Sequence, residues 1–385
     1  MTQARQPIGS YCLTNFSVRE ARLIVDGLFT PKPWVYWTDF LLSIACGWMA
    51  FILASQLPLG SFAQAAFFLA TCLLFYRGSL FIHELVHLRS GTFPAFRFVW
   101  NTLCGIPFLV PTFLYYTHGS HHARKHYGTS EDGEYLPLAL GPRWRIVWFL
   151  AQSLIVPALA VLRFLVLSPL AWLIPPLGRL IQTRASAMII DPNYVRPLPT
   201  NKELRYWRLQ ETACFIYLLS VTALLLTGYL PWQLLAQLYL TAVVVLLINS
   251  IRTLGAHRYR HGGEELTFIQ QLVDSVNYPQ HPLSGELWAP VGLRYHALHH
   301  LFPSLPYHAL GTAHRRMMAR LPADSPYRQT ISPNLWSALV TLWQSAGQRS
   351  TPPTTPESAT TVTTPDSTAN PTAQTGRARQ EPSLP

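Results

Sequence analysis

Two long stretches of the chain contain no Lys, Arg, Asp or Glu, and turn-forming residues interrupt each stretch once near its middle. The first covers residues 40–76 and is broken by the Pro- and Gly-containing segment 57–61; the second covers residues 212–251 and is broken at 228–232. Because one helical membrane span needs ~20 apolar residues, each stretch is long enough for about two spans. The pattern predicts an all-α integral membrane protein with two transmembrane helical hairpins, hence four spans.

Two further apolar segments lie between the predicted hairpins. Residues 98–117 are uncharged but interrupted by Gly and Pro, so we expect them to dip into the membrane or lie in its interface rather than cross it. Residues 146–178 are also apolar, but Arg163 and several prolines predict two short pieces, as interfacial helices or a shallow re-entrant hairpin. A topology of six spans is the alternative.

The distribution of charge predicts the orientation of the protein. Only 12% of the residues are charged, against roughly 25% in soluble domains, and the formal net charge is +11. The positive residues lie in the segments that flank the hairpins, mainly 1–33 and 179–208. The positive-inside rule therefore places both termini and the region between the hairpins in the cytoplasm. The same rule accounts for the basic residues without nucleic-acid binding.

The remaining composition divides the chain into four parts. We expect a cytoplasmic N-terminal segment at 1–33, a membrane domain at 34–325, a C-terminal helical segment at 326–347 and a tail at 348–385. The tail is rich in Thr, Pro and Ser and is predicted to be disordered. The first thirty residues do not resemble a signal peptide, and the spacing of the five cysteines predicts no disulfide framework.

Eight of the fourteen histidines lie in three short motifs at the ends of apolar segments. The motifs are HELVH with His83 and His87, HGSHH with His118, His121 and His122, and HALHH with His296, His299 and His300. Residues three and four apart share one face of a helix, so each motif can present two or three imidazoles to a common point. Eight ligands exceed the need of one four-coordinate zinc ion. The motifs predict a pair of metal ions held by a helical cap on the cytoplasmic side.

A ninth ligand is expected from the segment that follows the fourth span. His257 is the first choice because it lies nearest the membrane, and His261 is the second. His126 is a candidate ligand or hydrogen-bond partner. The other three histidines are expected to be ordinary loop residues: His281, His308 and His314.

Carboxylates near the motifs are expected to orient the ligands, because a metal-bound histidine usually donates its second N–H to one. Glu84, inside HELVH, is the candidate catalytic residue. The candidates as a set are Glu84, Glu131, Asp132, Glu134, Glu264, Glu265 and Asp274.

Two other classes of protein are alternatives to an enzyme with a pair of metal ions. HELVH matches the HExxH signature of zinc proteases, in which Glu84 would be the general base and Asp132 a further ligand, but this leaves both HxxHH motifs unexplained. A metal transporter would carry its ligands within the spans near the bilayer midplane, whereas these motifs follow the span ends.

The order HxxxH, HxxHH, HxxHH resembles the membrane fatty acid desaturase family over roughly residues 35–320. The sequence RYHALHHLFPSLPYH at 294–308 is similar to the third histidine box of that family. The resemblance implies two iron ions, O2 as oxidant and an external electron donor of the ferredoxin or cytochrome type, in a bacterial cytoplasmic membrane. One position departs from the pattern: many members have Asn or His four residues before the last ligand, where this chain has Thr253.

The chemistry expected from this resemblance is the introduction of a double bond into the acyl chain of a lipid or acyl carrier. Zinc has no redox chemistry and could not oxidise an unactivated methylene group, whereas iron can. The aromatic residues Phe81, Phe113, Tyr115 and Tyr116 are candidates for lining the substrate cavity. A membrane di-iron hydroxylase acting on an alkane, a carotenoid or a lipid is the alternative, because it would carry much the same histidine pattern.

Overall fold

The structure is a computed structural model that describes residues 16–89 and 91–348. In these ranges the chain forms seventeen α-helices and no β-strand. The predicted disordered tail at 348–385 and the first fifteen residues of the N-terminal segment lie outside the described residues, apart from Gln348 itself. The helices are α1 (Val18–Ile24), α2 (Pro33–Gln56), α3 (Phe62–Ser79), α4 (Phe81–His87), α5 (Pro94–Trp100), α6 (His118–His121), α7 (Trp144–Ala151), α8 (Val156–Leu162), α9 (Ser168–Leu173), α10 (Pro175–Arg184), α11 (Asn201–Leu226), α12 (Trp232–Leu254), α13 (Phe268–Asp274), α14 (Pro282–Trp288), α15 (His296–Leu301), α16 (Tyr307–Arg320) and α17 (Leu335–Ser345).

The first predicted hairpin is confirmed as the helix pair α2 and α3. The chain turns between them at residues 57–61, where Gly60 has a φ of +82° that favours glycine, and the Ser61 hydroxyl accepts a hydrogen bond from the backbone N–H of Gln64 at 3.2 Å. The helices pack closely, since a Cβ atom on Gly47 would come within 2.6 Å of the Phe75 ring. After Leu80 the chain continues into α4, so that one helical stretch of 26 residues, Phe62–His87, ends in HELVH.

The second predicted hairpin is confirmed as α11 and α12. Thr200 and Glu203 form a capping box at the start of α11, and Pro231 precedes the first residue of α12. With the first hairpin, these helices supply four of the five in the described residues that are long and apolar enough to cross a membrane. The protein is a multi-pass membrane protein.

The fifth such helix, Val156–Leu173, corrects the expectation that Arg163 splits this region into two short pieces. Arg163 lies inside a continuous helix, at the start of a π-helical segment (Arg163–Leu167), because the Glu211 carboxylate of α11 pairs with its guanidinium. The helix α10 then runs back along this one. Arg163 donates to the Ala185 carbonyl, and a Cβ on Gly178 would lie 2.9 Å from the carbonyl of Ala171. How this helix pair lies in the membrane, and with it the four-span topology, stays a prediction.

Residues 98–117 fold back on themselves, as expected from their Gly and Pro residues. Helix α5 continues as a π-helical segment (Asn101–Gly105), the chain turns, and a short 3-10 helix (Thr112–Tyr115) follows. The Asn101 side chain bonds to both the hydroxyl and the backbone N–H of Thr112, at 3.1 and 3.2 Å. This return brings the chain to HGSHH on the same side as HELVH.

The segments after α12 pack together and hold the last two histidine-bearing segments. His257 forms an isolated antiparallel bridge with Ser275, and Asn277 forms bridges with Tyr295 and Ile331. The Asn277 side chain also accepts from the backbone N–H of Leu298 at 3.1 Å, which fixes α15. The C-terminal segment contains a 3-10 helix (Pro326–Thr330) and α17, which belong to the same compact unit; the domain boundaries at 33/34 and 325/326 stay predictions.

The two hairpin turns provide a test of the orientation. Leu59 and Tyr229 are 93% and 84% exposed at the tips of the hairpins, whereas Glu265 is exposed in the cap beyond α12. In a Cys12→Ser background, we expect a membrane-impermeant maleimide to label Leu59→Cys and Tyr229→Cys in intact cells. Glu265→Cys should react only after permeabilisation. Labelling of Glu265→Cys in intact cells would place the histidine side outside the cytoplasm.

Candidate metal centre

The three histidine motifs lie on three short helices, α4, α6 and α15, and their side chains converge with His257. In each of two groups the candidate ligand nitrogens all lie within 4.8 Å of one another. The five-histidine cluster consists of His83, His87, His118, His122 and His299; the four-histidine cluster consists of His121, His257, His296 and His300. The two clusters therefore contain each of the nine histidines proposed from the sequence.

Short contacts between Nε2 atoms define the five-histidine cluster. The Nε2 atom of His299 lies 3.1 Å from that of His87 and 3.2 Å from that of His122, and the Nε2 atoms of His122 and His118 are 3.0 Å apart. His83 packs its ring against His299 and has no hydrogen-bond partner on either ring nitrogen among the described residues.

The four-histidine cluster has the same form and lies next to the first. The Nε2 atom of His257 lies 3.2 Å from that of His121 and 2.9 Å from that of His296, which is 3.1 Å from the Nε2 of His300. The rings of His300 and His122 stack with their centroids 4.1 Å apart, so the two clusters share a boundary.

Each HxxHH motif contributes to both clusters rather than to one common point. The first and last histidines of a motif enter one cluster, and its middle histidine enters the other. His118 and His122 belong to the five-histidine cluster and His121 to the four-histidine cluster, whereas His296 and His300 belong to the four-histidine cluster and His299 to the five-histidine cluster. At about 100° per residue, positions i and i+4 differ by only about 40° around a helix, whereas i+3 points about 60° to the other side. The motif HxxHH is therefore suited to a helix that lies across two adjacent metal ions.

Burial keeps most of these imidazoles in the form that binds metal. Burial lowers the pKa of His118, His122, His257, His296, His299 and His300 well below the ordinary value. At neutral pH they are uncharged and have a lone pair available for a cation. His121 differs: burial lowers its pKa, but the carboxylates of Asp132, Glu134 and Asp274 together outweigh burial and the net shift is upward.

The donor set fits two transition-metal ions. Of the nine clustered imidazoles, six are buried and three are half-buried. Eight have Nε2 atoms that face one another at about 3 Å, and these atoms cannot all be satisfied by mutual hydrogen bonding, since the neutral ring has one donor and one acceptor. A cation in each cluster would accept the lone pairs. Imidazole ligands suit iron, copper and zinc.

Two predicted carboxylates orient ligands from the loop after α6. Asp132 accepts from Nδ1 of His121 at 2.8 Å, and Glu134 lies 2.9 Å from Nδ1 of His118. The Asp132 carboxylate also accepts the backbone N–H groups of Gly128 and Glu134, so one side chain fixes both the loop and the ring. Burial raises the pKa of Glu134 to about 8, and a cation held by His118 would favour its ionised form.

Tyr127 is a buried residue that the sequence did not single out. Its hydroxyl donates to Asp274 at 2.8 Å and lies 2.8 Å from Nδ1 of His257. Because the only hydroxyl proton goes to Asp274, Nδ1 of His257 donates and its Nε2 is left with the lone pair. The Asp274 carboxylate lies 3.7 Å from Nδ1 of His257, so Asp274 acts on His257 through the Tyr127 hydroxyl. The only sequence signal was that Tyr127 lies next to His126 in a segment dense in histidines.

Glu84 has a different environment from the one proposed for it. Its carboxylate is buried and accepts from the Tyr36 hydroxyl at 2.6 Å and the Tyr307 backbone N–H at 3.2 Å. Among the described residues these are its hydrogen bonds, so the geometry favours a role in joining α4 to α2 and α16. A zinc-protease arrangement, with Glu84 facing a metal beside Asp132, has no support in this geometry.

The remaining candidates lie outside both clusters. His261 lies 3.6 Å from Glu264 and 3.9 Å from Asp274, and His126 pairs with Glu131. Of the three histidines expected to be ordinary, His308 accepts from the backbone N–H of Lys32, His314 bonds to Tyr327 and His281 begins α14. Glu265 is exposed.

The comparison with known protein families decides the classification. The model of the family described as fatty acid desaturase matches residues 59–331, a range that contains the second hairpin turn and all nine clustered histidines. The chain belongs to the fatty acid desaturase family. It is therefore an O2-dependent membrane oxidoreductase of a di-iron family that uses lipid substrates and external electron donors.

A curated protein is similar to this chain over most of the length of both proteins. The protein from Caulobacter vibrioides named ceramide hydroxylase is 39% identical over 339 residues, which cover 86% of this chain and 94% of the relative. No solved structure gives a significant match. The hydroxylase alternative is thus supported at least as well as desaturation.

Removal of one ligand tests the cluster assignment. His299→Ala should abolish activity and lower the metal content of the purified protein, because His299 contacts two other ligands of the five-histidine cluster. His308→Ala is the matched control, since His308 lies outside both clusters. Metal bound per chain is measured by mass spectrometry, and unchanged metal in His299→Ala would contradict the assignment.

Loss of the Tyr127 hydroxyl tests the orientation of His257. Tyr127→Phe should weaken metal binding at the four-histidine cluster by about 10- to 100-fold, the usual cost of removing a partner of a metal ligand. Titration with a competing chelator should then remove one ion per chain before the other. Tyr229→Phe, at the exposed hairpin turn, is the control; equal retention of both ions in Tyr127→Phe would show that the hydroxyl does not matter.

Proposed function

We propose that this protein is an O2-dependent ceramide hydroxylase. The observation that carries the proposal is the 39% identity with the Caulobacter ceramide hydroxylase over 94% of that protein. In the reaction, one atom of O2 is inserted into a C–H bond of the lipid, which becomes C–OH. The other atom is reduced to water by two electrons and two protons.

Two iron ions are the cofactor that the donor set and the family support. When bound by the clusters, iron would supply the redox chemistry that activates O2 for attack on an unactivated C–H bond, which zinc lacks. His83, His87, His118, His122 and His299 would hold one ion, and His121, His257, His296 and His300 the other.

The residues around the clusters hold the protons that fix the ligand geometry. The Asp132 carboxylate accepts a hydrogen bond from Nδ1–H of His121, and the Tyr127 oxygen accepts one from Nδ1–H of His257. Both rings then keep Nε2 directed inward, as a rigid oxidation site requires. Glu84 would be a positioning residue, since its bonds to Tyr36 and Tyr307 connect α4 with neighbouring helices.

The membrane supplies the substrate and the cytoplasm the electrons. Helices α4 and α12 deliver His83, His87 and His257 at the ends of membrane-spanning stretches, so an acyl chain can approach from the bilayer. We assign the histidine face and both termini to the cytoplasmic side of a bacterial membrane. A ferredoxin- or cytochrome-type protein would donate the electrons there.

Desaturation of an acyl chain is the second candidate, because the matching family model bears that description. It starts with the same abstraction of a hydrogen atom. It then removes a second hydrogen from the adjacent carbon, and with two electrons and two protons from outside the substrate both oxygen atoms leave as water. The same cluster geometry serves either outcome.

The product decides between the two. We expect expression in a host that makes ceramide but lacks this activity to yield ceramide that has gained one oxygen atom, as seen by mass spectrometry of extracted lipids. Ceramide or fatty acid that has lost two hydrogen atoms would instead support desaturation. His299→Ala serves as the inactive control. Unchanged lipids in cells whose purified enzyme contains iron and accepts electrons would refute both.

A further inference from the structure

Residues 98–117, which fold back on themselves, form what we call the fold-back segment. A group of uncharged polar side chains is buried between this segment and helix α11. Its centre is the Thr112 hydroxyl, which accepts from the Asn101 amide at 3.1 Å, donates to Oε1 of Gln210 at 3.1 Å and lies 3.3 Å from the Tyr206 hydroxyl. We call these four residues the Gln210 cluster. Asn101, Thr112 and Gln210 are 8%, 2% and 4% exposed, whereas Tyr206 is 40% exposed and opens the cluster to its surroundings.

The Gln210 cluster contains an unused hydrogen-bond donor. Nε2 of Gln210 is buried and has no hydrogen-bond partner among the described residues. The assignment of its oxygen is fixed by the Phe113 backbone N–H, which can only donate and faces Oε1 at 3.5 Å. Leaving such a group unpaired costs free energy, because the buried donor has lost its hydrogen bonds to water. A ligand that supplies an acceptor would remove this cost.

A second buried donor lies on the same face of α11. Trp207 precedes Gln210 by three residues, is 2% exposed, and its Nε1–H also lacks a partner in the described part of the chain. Its ring stacks on Phe113 at 5.3 Å, which holds it in place. Because both unused groups are donors, the missing ligand must present acceptor oxygens.

The position of the Gln210 cluster matches the level of a lipid's polar linkage. The charged residues of α11 end at Glu211, and the uncharged stretch of the second hairpin begins at the next residue. Tyr116 and Tyr206 stack with their centroids 6.4 Å apart at the exposed side, and aromatic residues of this kind concentrate at membrane interfaces. The cluster therefore lies where a bilayer changes from headgroups to chains.

The chemistry of the cluster favours a neutral ligand. All four members are amides or hydroxyls, the buried or half-buried arginines near them are engaged within the protein, and Arg205 and Arg208 of α11 are exposed at the surface rather than inside the cluster. Arg163 pairs with Glu211, Arg196 donates to the carbonyls of Phe113 and Ser186, and Arg97 donates to those of Leu88 and Thr92. A phosphate or carboxylate would require a free cation. An amide carbonyl and hydroxyl groups need only the donors present here.

The cluster is connected to the metal centre by a single short segment. Thr112 begins the 3-10 helix that ends at Tyr115, and the Tyr115 ring stacks on His118 at 4.6 Å. Six residues separate Thr112 from His118, and because the first four positions form a 3-10 helix that rises about 2 Å per residue, the separation is on the order of 12 Å along the segment. A lipid held at the cluster would thus place carbons near its polar linkage at the metal ions.

From these observations we infer that the Gln210 cluster binds the amide and hydroxyl oxygens of the ceramide polar linkage and so selects the substrate and positions its chain. Nε2 of Gln210 and Nε1 of Trp207 donate to the lipid, and Thr112 and Asn101 hold Gln210 in place. This inference deepens the proposed ceramide hydroxylation and depends on it for the identity of the lipid.

The test separates binding from turnover. Gln210→Glu preserves the oxygen that faces Thr112 and Phe113 but removes the donor, and Trp207→Phe preserves the stack but removes Nε1–H. Each variant should raise the Kd of the purified, iron-loaded protein for radiolabelled ceramide in detergent micelles by about threefold to tenfold, the worth of one neutral hydrogen bond. In turnover assays the KM for ceramide should rise by a similar factor with kcat nearly unchanged. Gln233→Glu, exposed at the distant start of α12, is the matched control and should bind like the wild type.

The outcomes distinguish this inference from the proposed function. Ceramide oxidation with wild-type Kd and KM in both variants overturns the role of the cluster and leaves the hydroxylase intact. Ceramide binding that depends on Gln210 or Trp207 without any oxidation supports the cluster and overturns the hydroxylase. Tighter binding of ceramide phosphate than of ceramide by the wild type would show an anion site and overturn the neutral class. Should Gln210→Glu not accumulate as folded protein, Trp207→Phe decides alone.

Discussion

The structure depends on the convergence of nine imidazoles, six of them buried and three half-buried, at the ends of the membrane helices. Nε2 atoms approach one another to about 3 Å in both clusters, and because mutual hydrogen bonding cannot satisfy all of them, a cation in each cluster would accept the lone pairs. Burial favours this state because it keeps the rings unprotonated, the form that binds metal. The helix ends, the fold-back segment and the bridges around Asn277 all deliver a ring to these clusters.

Residues outside the two clusters fix the orientation of the histidine rings. Asp132 accepts from His121 while its other hydrogen bonds close the loop that contains it, so loop and ligand geometry cannot change independently. Tyr127 places a neutral hydroxyl between His257 and Asp274. Each cluster therefore has one ligand backed by a carboxylate, His118 by Glu134 and His121 by Asp132, and the four-histidine cluster has in addition a tyrosine behind His257. Such a difference would give two bound metal ions unequal environments.

The sequence predicts those features that local physics determines. The hairpins follow from the absence of charge and from the Pro and Gly residues at their turns, and the ligands follow from helical spacing and proximity to the span ends. Features that depend on partners distant in sequence were missed or misassigned. Arg163 marks a helix break when seen alone, but Glu211, 48 residues away, permits it to lie within a helix. The motif HELVH does not indicate the partners of Glu84, because Tyr36 and Tyr307, which bond to its carboxylate, are distant in sequence.

The choice between hydroxylation and desaturation lies outside the histidine pattern for a physical reason. Both reactions begin with the loss of one hydrogen atom and need the same ligands. In the second step, desaturation removes a hydrogen atom from the adjacent carbon, whereas hydroxylation adds oxygen to the carbon that lost the first hydrogen. The outcome depends on which of these two carbons is better placed, and a shift of about 1 Å in the substrate is enough to change it. The ligands cannot set that placement, because they contact the metal and not the lipid. It must come from groups that hold the substrate at a distance from the reacting carbon. In this protein the short rigid segment from Thr112 to His118 joins a buried polar group to the metal centre, so it can transmit the position of a lipid's polar linkage to the carbon that reacts.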